Sequence, residues 1–174
     1  MVLFIYKMPT PVAFIFSDGE RHQAFEEGKR RQQVNETKKL RGRNGGASIG
    51  SKALEIHLLG AAGEMAVASY LNLKNFLYLE TEANRNSSDL PGDIDVKTRS
   101  KHKYDLIIQR NENPNKRFVL VTIENKQTLI HGWCYGKDGM KDEYWADPAR
   151  GRPAYFVPKN VLKDISTMLQ LPQA

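Results

Sequence analysis

The spacing of apolar residues predicts two helices ahead of a strand-rich second half. In residues 53–73, apolar and small residues recur every three or four positions, which is typical of a helix packed on a core. This stripe contains Ile56, Leu59, Gly60, Gly63, Val67 and Tyr70. Residues 20–35 also have helix-forming composition, with Ser17 or Asp18 as N-cap. The apolar residues of this first helix are few, so we expect a surface helix.

Short alternating runs predict strands in residues 75–83, 104–110, 117–125 and 127–136. We expect the last three to form a β-meander, with an Asn-Pro turn between residues 104–110 and residues 117–125. Of two strand-like pieces near the N-terminus, residues 12–16 are the better one. Residues 142–158 are predicted to form an irregular, packed flank, and residues 159–169 a short C-terminal helix. Helices followed by strands indicate an α/β domain with a mixed sheet.

The apolar N-terminal stretch does not predict a membrane anchor. Lys7, Pro9 and Pro11 interrupt it, so neither part approaches the roughly 20 apolar residues that span a bilayer. No cleavage site follows an apolar segment of the kind found in signal peptides. The single cysteine, Cys134, forms no internal disulfide, and these features together favour a cytoplasmic protein.

Length and charge place the chain among basic, globular proteins. The 174 residues include 40% hydrophobic ones and carry a net charge of +6, which suits a polyanionic partner such as nucleic acid. We expect an N-terminal part, residues 1–52, with a strand, the surface helix and a flexible arm. Residues 53–174 are expected to form the core domain. The oligomeric state stays open.

The predicted arm, residues 28–52, has eight basic residues and one acidic residue, Glu36. Its glycines and serines predict a flexible linker without a packed element. It is either a solvated loop or an arm that becomes ordered on nucleic acid. The residues proposed for that contact are Lys29, Arg30, Arg31, Lys38, Lys39, Arg41 and Arg43, together with Arg99 further along the chain.

Glu64 lies on or beside the apolar stripe of the second helix. Burying an ionised carboxylate without compensation costs several kcal/mol, so a positive partner should face it: an arginine, a lysine or a metal ion. The alternative is a glutamate at the helix edge, paired with a surface base. The neighbouring Gly60 and Gly63 allow another backbone to approach closely.

The segment SDLPGDIDVKTRS, residues 88–100, is the second candidate for chemistry. The period of two in a strand places Asp93, Asp95 and Lys97 on one face, and Ile94 and Val96 on the other. Taken alone, an Asp-x-Lys pattern is weak evidence. Combined with Glu64 and Asp89, it supplies hard oxygen ligands for Mg²⁺, or Mn²⁺, and a cation for a phosphate or an attacking water.

The order of helix glutamate, aspartate and Asp-x-Lys resembles the PD-(D/E)XK nuclease superfamily, and small phage-type members in particular. The resemblance aligns Glu64 with the helix glutamate, Asp89 with the acidic residue ahead of the motif, and Asp95 and Lys97 with the motif itself. It implies a restriction-endonuclease-like fold and Mg²⁺-dependent hydrolysis of nucleic acid, with DNA as the expected substrate. Glu64, Asp89 and Asp95 would bind the metal, and all four residues would be catalytic.

Two departures from the superfamily pattern leave alternatives open. The gap between Asp89 and Asp95 is short, so Asp89 is expected on the turn entering the strand, and Asp93 is a rival metal ligand. A meander also stands where a helix commonly follows the motif strands. Because some members have lost catalysis, the alternative function is an inactive nucleic-acid-binding or accessory protein with the same fold.

Four other residues have simpler interpretations. His57 could reach the site but is better explained as a hydrogen-bonded helix histidine, and Trp133 as core or sheet-edge packing. Cys134 lies among apolar residues and is expected to be a small buried hydrophobe. His131 and Cys134 lack the second pair of ligands that a tetrahedral zinc site requires, so zinc is not predicted.

Overall fold

The computed structural model describes residues 8–38, 50–73 and 88–171. The helices and strands follow in the order β1 (Val12–Phe14), α1 (Asp18–Thr37), α2 (Ser51–Tyr70), β2 (Ile94–Arg99), β3 (Leu106–Ile108), β4 (Arg117–Glu124), β5 (Gln127–Tyr135), α3 (Gly136–Gly139), β6 (Trp145–Ala146) and β7 (Ala154–Val157). Short 3-10 helices cover Asp142–Tyr144, Lys159–Val161 and Ile165–Gln170. The fold is therefore mixed α/β, as predicted.

A four-stranded mixed sheet has the strand order β1-β5-β4-β2. β1 and β4 are antiparallel to β5, and the turn between β4 and β5 is made by Asn125 and Lys126, both with positive φ, as a tight two-residue hairpin requires. β2 instead pairs in parallel with β4, with Ile94 opposite Arg117. This parallel register brings the residues ahead of β4 beside the start of β2.

The predicted three-strand meander is wrong for its first strand. β3 does not join β4 but pairs with β7, in a second sheet of order β3-β7-β6. Residues 142–158, predicted as an irregular flank, supply both β6 and β7. Local alternation identified β3 as a strand, but its partner lies about fifty residues further along, where local pattern carries no information.

α2 and the three-stranded sheet pack on opposite faces of the four-stranded sheet. Val96, Val119 and Val121 share a buried cluster with Val67 of α2. The alternate residues Phe118 and Leu120 belong to a second cluster with β3 and β7. The central strand β4 is thus covered on both faces, by α2 and by the second sheet.

α1 begins with a capping box at Ser17. The Ser17 hydroxyl accepts a hydrogen bond from the Glu20 backbone N–H at 3.3 Å, and the Glu20 carboxylate accepts one from the Ser17 N–H at 2.8 Å. Ser17 is therefore confirmed as the N-cap.

The expectation of a flexible arm beginning at Gly28 is wrong for residues 28–37, which are the second half of α1. Arginine, lysine and glutamine there are good helix formers, and the glycines that suggested a linker are concentrated further along. α1 also buries Ala24, Glu27, Gly28 and Gln32, so it is more than a surface helix. Residues 39–49 of the proposed arm lie outside the described residues, as does the strand predicted at 75–83.

The predicted C-terminal helix is replaced by two 3-10 segments, Lys159–Val161 and Ile165–Gln170. Lys163 separates them and pairs with Trp133 of β5 through two backbone hydrogen bonds, of 3.0 and 2.7 Å. This antiparallel bridge holds Lys163 beside β5, beyond the residues that pair with β1, and so interrupts the predicted helix. Within the described parts of the chain, no helix is long and apolar enough to cross a membrane.

Two glycines allow close packing between layers. A Cβ on Gly28 would lie 2.8 Å from the Cα of Leu58, at the crossing of α1 and α2. A Cβ on Gly63 would overlap the hydroxyl of Thr98 and lie 3.0 Å from its Cβ. Gly63 therefore sets how closely α2 approaches β2, and with it the position of the adjacent Glu64.

Gly63→Ala should lower the free energy of unfolding by about 1–3 kcal/mol, because the added methyl group overpacks the contact with Thr98. Gly60→Ala in the same helix is the matched control. Its nearest atom is Arg31 Nη1 at 3.9 Å, so it should be neutral or add up to about 1 kcal/mol from helix propensity. Urea unfolding of both variants measures the difference, and equal stabilities would contradict the contact.

Candidate active site

The loop that carries Asp89 runs along the outer edge of β2. The Leu90 N–H donates to the Ile94 carbonyl at 3.0 Å, and the Asp89 carboxylate accepts from the Val96 N–H at 2.8 Å. The Asp93 carbonyl points toward β4, where it accepts the Arg117 N–H. Because successive residues of a strand point their backbone groups to opposite sides, those of Ile94 and Val96 point away from β4. Asp89 therefore takes the place of a strand partner for β2 and lies beside its first residues.

The alternation expected in β2 is present. Ile94 and Val96 belong to the cluster under α2. Lys97 lies on the other face, with its ammonium 5.3 Å from the centre of the Phe118 ring. Asp95 shares that face and is only 6% exposed. A buried carboxylate and a lysine thus lie side by side on one strand, with Lys97 Nζ 3.8 Å from Asp95 Oδ2.

Two further charged residues contact Asp95 and Lys97, and the sequence pattern does not identify either as part of the site. Lys116 Nζ lies 3.1 Å from Asp95 Oδ1, and Glu112 Oε1 accepts a hydrogen bond from Lys97 Nζ at 2.7 Å. Both belong to the loop of residues 109–116, which leads into β4. The parallel pairing of β4 with β2 places this loop beside Asp95, and no local sequence signal reveals that pairing.

Glu64 is buried and held by an arginine from α1. Arg31 donates from Nη1 and Nη2 to the two oxygens of Glu64, at 2.8 and 2.6 Å. Its Nε donates to Glu27 at 2.7 Å, and Arg30 also binds Glu27 through two nitrogens. Of the partners expected for Glu64, the structure has an arginine, located 33 residues upstream.

Electrostatic coupling links the three predicted carboxylates. Asp89 is exposed as a whole residue, but its carboxyl group lies among protein atoms. The burial of this group raises the pKa of Asp89 to about 7, and the negative charges of Glu64 and Asp95 contribute to the rise. Burial also raises the pKa of Glu64, while the bonds from Arg31 oppose that rise. Burial lowers the pKa of Arg31, but Glu64 and Glu27 more than reverse this, so the guanidinium stays charged.

Asp93, the rival of Asp89, lies apart from this group. It has a positive φ of 54° and belongs to the turn ahead of β2. Its carboxylate accepts a hydrogen bond from the Ser88 hydroxyl at 3.4 Å. The charges of Glu64 and Asp95 instead raise the pKa of Asp89, so electrostatics favours Asp89 over Asp93 as the partner of Asp95.

The four residues given simpler interpretations from the sequence are hydrogen-bonded or buried in the structure. His57 Nε2 lies 2.8 Å from the side-chain nitrogen of Asn35. Trp133 is buried, and its indole N–H donates to the Thr167 hydroxyl at 2.9 Å, so packing is confirmed. Cys134 is buried as well, and burial raises its thiol pKa to about 12. His131 is hydrogen-bonded to the Thr122 hydroxyl at 2.7 Å.

Several basic residues predicted to contact nucleic acid already engage groups of this chain. Lys29 pairs with Glu26, while Arg30 and Arg31 pair with Glu27 and Glu64 as described. Arg99 donates to the Asp105 carbonyl and stacks 4.7 Å from the Tyr104 ring. Lys38 is exposed at the end of α1, and Lys39, Arg41 and Arg43 lie outside the described residues.

The donor set matches Mg²⁺ in chemistry, because it consists of hard carboxylate oxygens whose mutual repulsion a divalent cation would relieve. Asp89 and Asp95 are the two that lie along β2. Among the residues that the structure describes, no three His, Cys, Asp or Glu side chains are grouped closely enough to hold a metal ion together. Glu64 and Asp95 are instead bound to Arg31 and Lys116.

Arg31→Met should lower the free energy of unfolding by about 3 kcal/mol, because it removes the cation that binds the buried Glu64 carboxylate, while Glu27 keeps Arg30. The loss should become smaller as the pH falls, since burial raises the pKa of Glu64 and its protonation removes the unpaired charge. Urea unfolding over a series of pH values measures this effect.

Lys29→Met is the control for Arg31→Met. Lys29 forms an ion pair with Glu26 in which both side chains are half exposed, so its loss should change stability by less than about 0.5 kcal/mol. The double variant Arg31→Met/Glu64→Gln should recover part of the lost stability. A loss for Arg31→Met no larger than for Lys29→Met would show that the buried ion pair contributes nothing.

Asp89→Asn should stabilise the metal-free protein above about pH 7. The folded pKa of Asp89, about 7, lies above the usual 3.8, so its protonated form favours folding at low pH, and that contribution is lost as the pH rises through 7. Asparagine keeps an acceptor for the Val96 N–H but carries no charge. Thermal unfolding in EDTA should show the variant gaining on the wild type between about pH 4 and 7; parallel profiles would contradict the coupling.

Comparison with models of protein families, with curated proteins and with solved structures finds no match to this chain. Any functional assignment must therefore depend on the residues of the site itself. Those residues are the coupled carboxylates Glu64, Asp89 and Asp95, together with Lys97 and Lys116.

Proposed function

We propose that this chain hydrolyses phosphodiester bonds in nucleic acid, DNA in the first instance, with Mg²⁺ or Mn²⁺, through a site of the PD-(D/E)XK type. The observation that carries the proposal is the electrostatic interaction of three carboxylates from separate elements: Glu64 from α2, Asp89 from the edge loop and Asp95 from β2. The charges of Glu64 and Asp95 both raise the pKa of Asp89, so the three lie within electrostatic range of one another. Lys97 follows Asp95 on the same strand face.

The arrangement of elements also supports a restriction-endonuclease-like domain. A helix bearing the glutamate packs on the face of a mixed sheet, at the contact between Gly63 and Thr98. The strand with the Asp-x-Lys pattern is parallel to its neighbour β4. Glu64 and Asp95 lie on a helix and a strand rather than on loops, and ligands on regular elements are held more rigidly for catalysis.

Each residue has a defined role in this proposal. Asp89 and Asp95 would hold the metal ion, with Glu64 completing the acidic site. Mg²⁺ supplies Lewis-acid polarisation of a phosphoryl oxygen and a bound water of lowered pKa. Lys116 fixes one oxygen of Asp95 at 3.1 Å, and Glu112 holds the Lys97 ammonium at 2.7 Å. Lys97 is thus positioned to donate a hydrogen bond to a phosphate oxygen or to the attacking water.

One observation favours a second candidate function, a nucleic-acid-binding or accessory protein without turnover. Glu64 and Asp95 are already neutralised by Arg31 and Lys116. A site whose charges are balanced within the chain needs no metal ion to be stable. In this alternative the same fold would bind nucleic acid through its basic residues, with an affinity that falls as salt rises.

The test is cleavage of supercoiled and linear DNA by the wild type, Asp95→Asn and Lys97→Ala in Mg²⁺, Mn²⁺ or EDTA. We expect metal-dependent cleavage by the wild type and a loss of at least about 100-fold in each variant, as for removal of a positioned catalytic group. Lys103→Ala, an exposed lysine ahead of β3, is the control and should cleave as the wild type does.

The outcomes separate the two candidates. Cleavage that is unchanged in Lys97→Ala would overturn the proposed site. Salt-dependent binding without cleavage in either metal would favour the accessory protein. Absence of both binding and cleavage would exclude both functions.

A further inference from the structure

The chain has two tryptophans in opposite surroundings. Trp133 is 2% exposed and hydrogen-bonded inside the core, as described above. Trp145, in β6, is 37% exposed. Part of the Trp145 side chain is therefore accessible to a ligand, and an indole ring offers both an apolar face and a polar edge.

Two neighbours hold the Trp145 ring in place. The Tyr155 ring lies 4.8 Å away, centre to centre, at an angle of 61°, and it belongs to β7, the strand paired with β6. The Arg110 guanidinium lies 5.7 Å from the Trp145 ring centre. A fixed aromatic ring beside an exposed cation is the combination that binds a base and its phosphate in single-stranded nucleic acid.

The loop after β6 is ordered by its own hydrogen bonds. Asp147 accepts from the backbone N–H groups of Gly151 and Arg152, at 2.7 and 3.0 Å. All residues from 145 to 153 are exposed, and Arg150 and Arg152 place two positive charges on this hairpin beside the carboxylate of Asp147. The loop is therefore held by its own hydrogen bonds and exposes two arginines.

This surface adjoins the candidate active site through one loop. Arg110 belongs to the loop of residues 109–116, in which the Glu112 N–H donates to the Gln109 carbonyl at 3.1 Å and closes a turn. Glu112 in turn holds Lys97 at 2.7 Å. Since two residues span at most about 7 Å, Arg110 lies close to the residue that positions the lysine of the site.

We propose that Trp145 and Arg110 form a binding site for an unpaired nucleotide of a single strand next to the cleavage site. This inference rests on the proposed function and adds a substrate class to it: nucleic acid that is single-stranded or frayed beside the site. The base stacks on the accessible part of the Trp145 ring, while Arg110 neutralises the adjacent phosphate. The net charge of +6 favours the same polyanionic ligand.

The first experiment uses tryptophan fluorescence, in EDTA so that no cleavage occurs. Wild type and Trp145→Phe are titrated with oligothymidylate and oligouridylate of about twelve nucleotides, within the usual size of a single-strand site. We expect quenching in the wild type and none in Trp145→Phe, whose remaining tryptophan is buried. The two oligonucleotides distinguish DNA from RNA as the preferred strand. An unchanged wild-type spectrum at saturating oligonucleotide would overturn the inference.

The second experiment measures affinity by fluorescence anisotropy of the labelled oligonucleotides. Trp145→Ala should weaken binding by about 5- to 150-fold, the range for loss of one base–aromatic stack, and Trp145→Phe by less. Phe25→Ala is the matched control, since Phe25 is also exposed and lies beneath a cation, Lys29 at 5.2 Å, but on α1. It should bind as the wild type does.

The outcomes are independent of catalysis. Equal affinities of Trp145→Ala and wild type would overturn the inference even if the protein cleaves DNA. Quenching and weakened binding without any metal-dependent cleavage would support the nucleotide site while refuting the nuclease. Circular dichroism of Trp145→Ala should match the wild type, because the altered side chain is exposed.

Discussion

The ion pair of the partly buried Arg31 guanidinium with Glu64 is the interaction on which the rest of the site depends. The guanidinium binds Glu27 within α1 and both oxygens of Glu64 in α2, so one side chain connects the two helices and fixes the carboxylate that faces β2. Replacing such a network by apolar residues is often neutral, whereas breaking it leaves buried charge without a partner. The network is therefore better explained as a means of fixing the position of Glu64 than as a source of stability.

The charges around β2 form a second balanced set. Asp95 lies between Lys116 and Lys97, and Glu112 holds Lys97 from the other side. Asp89 has a backbone N–H as its hydrogen-bond partner, and its pKa is raised to about 7. Of the three coupled carboxylates, Asp89 is thus the one whose charge is least compensated within the described structure. A divalent cation would have its largest electrostatic effect there.

The second sheet packs on the face of the four-stranded sheet that lies opposite α2. β3 and β7 cover Phe118 and Leu120, and the loop that leaves β3 carries Arg110, Glu112 and Lys116 to the end of β2. The same loop therefore links the charged site to the exposed ring of Trp145. The proposed cleavage site and the proposed nucleotide site thus share one short connection, so a single strand bound at Trp145 would lie near Lys97.

Local sequence pattern was enough to predict an N-cap at Ser17 or Asp18, the strands β4 and β5, and the alternation that separates Asp95 and Lys97 from Ile94 and Val96. It also required a cation for Glu64, because a carboxylate on an apolar helix face needs one. The folded chain was needed to identify Arg31 as that cation, to pair β3 with β7, and to bring Lys116 and Glu112 to Asp95 and Lys97. Those contacts depend on pairings between distant segments, above all the parallel register of β2 and β4, and local periodicity does not encode which strands or helices meet.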